Sequence, residues 1–180
     1  KKKVDDETKK VAEIHAVERG RFMFGNIGPV MMLSVPTVAG LSAQANSSSA
    51  MGNKVGFGYG ADLGSLVSIG VGLNHWFVGF IDDRTGEKLD MSSLEPFAKL
   101  YFSLFGKTRF LTTVFVEGGY ALPMGSVTME LAGPRVGGGL VFEYYTALRH
   151  FSIGLGISGN YFLTGGNIGA HVSPTLKYTF

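Results

Sequence analysis

The stretch Ile168-Gly169-Ala170-His171-Val172-Ser173-Pro174-Thr175-Leu176-Lys177-Tyr178-Thr179-Phe180 decides how the rest of the chain is read. Its even positions are Ile, Ala, Val, Pro, Leu, Tyr and Phe; its odd positions are Gly, His, Ser, Thr, Lys and Thr. A period of two puts successive side chains on opposite faces of an extended strand. This segment therefore has one apolar face and one polar face along its whole length.

The same period recurs upstream. From Phe151 to Tyr161 the odd positions are mostly apolar and the even ones small or polar. Leu63 to Ile81 and Phe151 to Ala170 are free of charge and long enough to suggest a membrane helix,. The period argues against it, and the second stretch holds six glycines, each costing about 1 kcal/mol inside a helix,. Six further segments read as strands: Gly20–Leu33, Lys54–Leu63, Leu66–Phe80, Glu95–Leu104, Arg109–Leu122 and Arg135–Tyr145. With Phe151–Thr164 and Ile168–Phe180 the total is eight. Gly20–Leu33 alternates least well, and Pro29 reads as a bulge or an early end.

The connectors alternate in length. Gly64-Ser65, Phe105 to Thr108 and Thr146 to His150 are short; Val35 to Asn53, Ile81 to Leu94 and Pro123 to Pro134 are long. Gly165-Gly166 is short where a long one is expected. Short turns on one rim and longer loops on the other predict an all-β fold, an eight-stranded antiparallel up-and-down transmembrane β-barrel spanning residues 19–180. An even strand number brings both ends of the barrel to the short-turn rim, which is periplasmic in such barrels.

Composition is consistent with one domain: 180 residues, 45% hydrophobic, mean hydropathy +0.20 and 27 glycines,. A net charge of +2 gives no reason to expect nucleic acid. Residues 1–21 carry 12 of the 30 Asp, Glu, Lys and Arg residues, so a charged tail, residues 1–18, precedes a charge-poor body. There is no cysteine, which excludes disulfide frameworks and thiolate metal sites,. Lys1–Lys3 is followed by Val4-Asp5-Asp6 and not by an apolar run, so the chain is read as a mature or trimmed form,.

A soluble barrel such as a lipocalin also alternates, with its apolar face inward. Aromatic placement separates the two. Phe102, Phe110, Tyr144, Phe151, Tyr178 and Phe180 fall on the apolar face near the short-turn rim. Phe57, Phe77, Tyr120 and Tyr161 fall nearer the other rim. Two aromatic girdles are what a bilayer's interfaces select. Gly56, Gly58, Gly60, Gly70, Gly72, Gly137, Gly139, Gly154 and Gly156 sit on the polar face, where a narrow lumen needs room for long neighbours. Lipid is therefore expected outside.

The ending Ser173 to Phe180 resembles the C-terminal signal by which outer-membrane barrels are recognised by their assembly machinery, with Leu176, Tyr178 and Phe180 at its alternating positions. In strand number and size Gly20–Phe180 looks like the small OmpA/OmpX-type barrels. The glycine-rich strands and Glu18-Arg19-Gly20-Arg21-Phe22 loosely resemble myxobacterial envelope barrels, including those of gliding machinery. The resemblance implies an integral outer-membrane location, with lipid, lipopolysaccharide and the assembly machinery as partners.

An eight-stranded lumen is just wide enough to be filled by side chains or one small ligand. Lys99 and Glu117 are expected as diagonal neighbours on adjacent strands, about a turn at Gly106-Lys107. Arg21, Glu143 and Lys177 are expected to cluster inside, near the periplasmic rim. Charges in a low-dielectric interior must pair or find water, so an ion-paired plug is expected, with a narrow pore as the alternative. His171 and Ser173 share a strand face and are the candidate nucleophile pair; they resemble the His-x-Ser of small lipid-A deacylase barrels. They face the lumen and no acid follows, so they are expected to be ordinary polar lumen residues. No other catalytic motif is present. Asp82, Asp83, Glu87 and Asp90 crowd the second long loop without an EF-hand spacing,, so no metal and no cofactor are expected. The Ser-, Ala- and Asn-rich loop from Pro36 to Asn53 reads as exposed. The tail, with Val11, Ile14 and Val17 near helical spacing, reads as a leader that could dock a periplasmic protein. The function expected is a non-enzymatic anchor or scaffold of an envelope complex.

Overall fold

The computed structural model describes residues 19–33, 50–81, 88–107, 109–124, 132–148 and 150–180. The charged tail, most of the first long loop, and Asp82, Asp83 and Glu87 lie outside the described residues.

Eight strands follow one another: β1 (Arg21–Met32), β2 (Ala50–Asp62), β3 (Val67–Ile81), β4 (Lys88–Lys107), β5 (Phe110–Met124), β6 (Gly133–Tyr145), β7 (Phe151–Phe162) and β8 (Asn167–Thr179). Each pairs antiparallel with its neighbours in sequence, and β8 returns to β1 to close the barrel. Closure leaves no sheet edge, so the wall can face hydrocarbon with its backbone groups paired internally except where a proline removes a donor,. Strands of 12 to 20 residues exceed the roughly 9–11 that cross a bilayer at a tilt, so the wall reaches beyond the apolar slab,.

The alternation seen in the sequence appears as alternating exposure. In β7, Phe151, Ile153, Leu155, Ile157 and Tyr161 are exposed, while Ser152, Ser158, Asn160 and Phe162 are buried. In β1 the even residues are buried and the odd ones mostly exposed. The outer wall is hydrocarbon and the inner wall carries charge, hydroxyl and aromatic groups. This inverts the arrangement of a soluble barrel.

Several expectations change. β2 starts at Ala50, not Lys54, so Ala50–Asn53 leave the expected first long loop and pair with β1. The third connector begins the strand earlier than its residues suggest: β4 starts at Lys88, not Glu95, because Lys88–Leu94 pair in register with β3. Pro29 neither bulges nor ends β1, which stays in register with β2 through Met32. The β4–β5 turn falls after Lys107, and a register shift between Ser103 and Phe105 places Lys99 directly opposite Glu117 rather than diagonal to it. Leu104 is the extra residue of that bulge, and both Leu104 and Phe105 stay outside,.

Candidate functional site

The lumen is filled in layers. Near the loop rim Val30, Met32, Trp76, Val78, Ala121 and Phe162 are buried together with the ionic groups beneath them. Trp76 stands edge-on to Phe162 at 5.8 Å. Lower down, Phe22, Phe24 and Phe97 form a cluster against Tyr101, which itself meets Phe115. The inward glycines explain why these rings fit. A Cβ on Gly58 would lie 2.5 Å from the Phe24 ring, one on Gly60 2.4 Å from Phe22, and one on Gly72 2.6 Å from Phe97. β2 and β3 contribute empty positions and β1 and β4 fill them.

Between these layers lies a buried ionic cluster. Lys99 Nζ is 2.8 Å and Lys54 Nζ 3.5 Å from the Glu117 carboxylate, and Arg135 Nη2 is 2.6 Å from it. Arg135 also donates through Nε to Glu95 at 2.6 Å and pairs with the same carboxylate through Nη2. Asn74 donates to Glu95 at 2.9 Å. Arg135 Nη1 donates to Asn160, and Asn160 reaches His171 at 3.4 Å. Lys54 and Arg135 both lie over the Trp76 ring, at 4.6 and 5.5 Å. Three cations face two carboxylates, one positive charge in excess. A fork-shaped guanidinium shared by two carboxylates suits a site without water, because it satisfies both acids with fixed geometry.

A second pair closes the short-turn side. Lys177 Nζ lies 3.2 Å from Glu143, which also accepts from Ser152, and the same ammonium donates to the Tyr145 hydroxyl at 3.3 Å. Between the two ionic levels a cavity of about 70 Å³ remains. It reaches from Arg19, Asp62 and Lys177 up to Lys99 and His171, and holds about five waters at most,.

Arg21 is not part of this interior. It is the first residue of β1, on the exposed odd-numbered face, where its side chain stands at the outer rim. The weak alternation of that segment gave no reliable parity. Lys54 also lies inside, on the face it shares with Gly56 and Gly58; its place at the margin of the expected strand gives no local sign of this. Glu95 and Arg135 were on the polar face, but their joining across β4 and β6 had no local signal.

His171 and Ser173 both face the lumen and are buried. The His171 ring bonds to Ser158 Oγ at 2.5 Å, its direct cross-strand partner, and stacks edge-on to Trp76 at 6.1 Å. Ser173 is not among its hydrogen-bond partners in the described residues. Of the rim aromatics, Phe102, Phe110, Tyr120, Phe151, Tyr161, Tyr178 and Phe180 are exposed on the outer wall, and Tyr144 stacks on Phe110 at 5.0 Å. Tyr178 meets Phe151 at 4.9 Å and Phe180 at 6.0 Å, and Phe180 meets Tyr59 at 6.0 Å, so the C-terminal residue belongs to the outer aromatic belt. Phe57 sits mid-strand, opposite Gly25 and Leu73. Asp90 is on β4 rather than in a loop.

An apolar, aromatic-banded exterior around a charged, packed interior decides the class. The fold is that of a transmembrane β-barrel. The crystal structure of Neisserial surface protein A superposes with a TM-score of 0.62 at 10% identity, covering 89% of this chain and 97% of that one. A de novo designed transmembrane β-barrel (TM-score 0.48, 10% identity, 90% and 98% covered) is also similar. So is the translocator domain of the autotransporter NalP from Neisseria meningitidis (0.45, 10%, 98% and 96%). No protein-family model and no curated protein sequence matches the chain. At such identities the likeness concerns the fold. The resemblance to myxobacterial envelope barrels finds no support among these structures.

Proposed function

We propose that the protein is an integral outer-membrane barrel with both termini periplasmic, acting without catalysis as an anchor or scaffold of a cell-envelope complex. The observation that carries this reading is the plug. Lys54, Lys99, Arg135, Glu95 and Glu117 meet across the lumen from four strands, under an apolar cap of Trp76 and Phe162. A wall this well filled presents surfaces and termini rather than a passage. Lipid and lipopolysaccharide surround it. The assembly machinery reads Leu176, Tyr178 and Phe180, and residues 1–18 offer a periplasmic partner a charged docking segment.

Two measurements test this. Planar-bilayer recording of the purified protein is expected to show no stable conductance steps; reproducible steps would favour the narrow-pore alternative, for which the 70 Å³ cavity is the supporting observation. Affinity purification from solubilised outer membrane, comparing the full chain with a deletion of residues 1–18, is expected to lose a specific periplasmic protein. An unchanged set of partners would remove the docking role of the tail. For the enzymatic alternative, Ser173→Ala is expected to leave the lipid-A mass spectrum unchanged.

A further inference from the structure

The wall is weakest where it closes. In the β1–β8 seam, Phe180 N–H donates to Arg21 O and Leu33 N–H to Ile168 O, so odd residues of β1 and even residues of β8 are the hydrogen-bonded pairs. Ile27 faces Pro174 and Pro29 faces Val172 in that series. Neither proline has an N–H to give. Two consecutive hydrogen-bonded pairs each lose one bond, and the Ile27 and Val172 carbonyls receive no seam donor. The ladder is correspondingly interrupted from Ile27 to Pro29 and resumes at Val30. Pro96 removes a single donor from the β4–β5 seam in the same way; only the closing seam, among the described residues, loses two in succession.

Further observations bear on this point. Gly28, between the two affected pairs, has no side chain, and Val172 O lies 2.0 Å from where its Cβ would be, the same close approach that Gly52 makes to Phe77 O and Gly139 to Ile157 O in unbroken seams. The Oδ1 of the adjacent buried Asn26 has no partner, and its amide lies over Gly56 of β2, on the side away from the seam. The lumen cavity lies behind, lined by Asn26, Ser173 and Thr175 on the seam side, by Phe24 further along β1, and by Tyr101 and Phe115 on β4 and β5. Outside the breach stand the exposed Ile27 and Val172. Backbone carbonyls without donors do not rest in hydrocarbon, and only the lumen side offers them water.

We propose that the Pro29/Pro174 seam is a lateral portal, through which one acyl chain of a bilayer amphiphile passes between Ile27 and Val172 to lie against the aromatic side of the lumen cavity. At mid-wall depth the membrane supplies acyl chains and no extended peptide. The small cavity takes the end of one chain, not a diacyl lipid. Hydroxyls of β7 and β8 on the other side keep the water that the bare carbonyls need. The inference does not depend on the scaffold role.

The test uses the full chain in phospholipid nanodiscs containing palmitic acid with a diazirine at its methyl end, irradiated and mapped by peptide mass spectrometry. Adducts are expected on the inward Phe24, Tyr101 and Phe115 as well as on the outward Ile27 and Val172. Asn26 and Thr175 form a non-hydrogen-bonded pair, whose Cα atoms in such ladders approach to about 4.5 Å, within disulfide range,. In Asn26→Cys/Thr175→Cys, oxidation is expected to abolish the inward adducts and spare the outward ones, and reduction of the same sample to restore them. Pro29→Val/Pro174→Val, which supplies both missing donors, is expected to reproduce the loss. Inward adducts that are absent from the native chain, or that persist in the oxidised pair or in the valine variant, overturn the portal.

Discussion

Glu117 is the residue on which the interior turns. It is 4% exposed and meets Lys54, Lys99 and Arg135 at once. Removing it leaves three cations around Glu95 alone, and an uncompensated buried charge costs about 3–5 kcal/mol. Glu117→Ala is expected to lose stability on that scale in urea unfolding from liposomes, followed by the emission of Trp76, the only tryptophan. Lys54→Met is expected to cost much less, because it removes the surplus charge and Lys54 Nζ makes no hydrogen bond. Equal costs would refute the charge-excess account. Trp76 is 1% exposed and its neighbour Phe77 45%. Brominated acyl chains are therefore expected to quench Trp76 weakly and a tryptophan placed at 77, in a Trp76→Phe background, strongly. The reverse order would turn the barrel inside out.

At the scale of elements, β2 and β3 are shaped by what they lack. Gly70 is the cleanest case: a Cβ there would lie 3.3 Å from Tyr101 and 3.4 Å from Phe24, with backbone only at 3.5 Å. Gly70→Leu overfills the aromatic layer and is expected to destabilise by about 1–3 kcal/mol. Tyr101→Ala in the same chain is expected to recover part of it, and simple additivity in the double-mutant cycle would show that the two do not compete for space. The faces of β2, β4, β7 and β8 were legible because each alternates cleanly. β1 does not, since Asn26, Gly28 and Pro29 blur its period, and its sequence alone gives no sign that Arg21 lies on the outer face. The Leu104 bulge was illegible too. A bulge shows only against a partner strand, and it is what sets Lys99 opposite Glu117. The Arg135–Glu95 contact joins residues 40 apart in sequence across β4, β5 and β6, and nothing local announces it.

For the whole molecule, solvent preference is the controlling property. Exposed Ile153, Leu155, Ile157, Val172 and Leu176 form part of a continuous apolar flank on β7 and β8. A patch of this kind far exceeds what monomeric soluble proteins display. Detergent removal is expected to precipitate the folded protein, and light scattering during dialysis checks it. A clear solution of folded monomer would mean that the orientation is wrong. Strand number and antiparallel order followed from period and punctuation; the expected length of the connector after β3 did not hold, since β4 takes in Lys88–Leu94 and leaves only 82–87 between the two strands. The packing of the lumen did not follow from them, because it depends on which glycine faces which ring around a closed circumference.

The five charges of the plug are delivered by β2, β4, β5 and β6, and Asn160 and His171 extend the network to β7 and β8. The β4–β5 hairpin brings its own Lys99–Glu117 pair, but Lys54 on β2 and Glu95 on β4 find their partners only on β5 and β6, and crossing acyl chains without them would forfeit hydration with nothing in return,. The ions must therefore gather while the sheet is still an open trough in contact with water, and the cylinder shuts around them afterwards. Insertion then becomes one concerted event, timed by the arrival of the last strand, and a chain missing β8 would stall at the membrane surface.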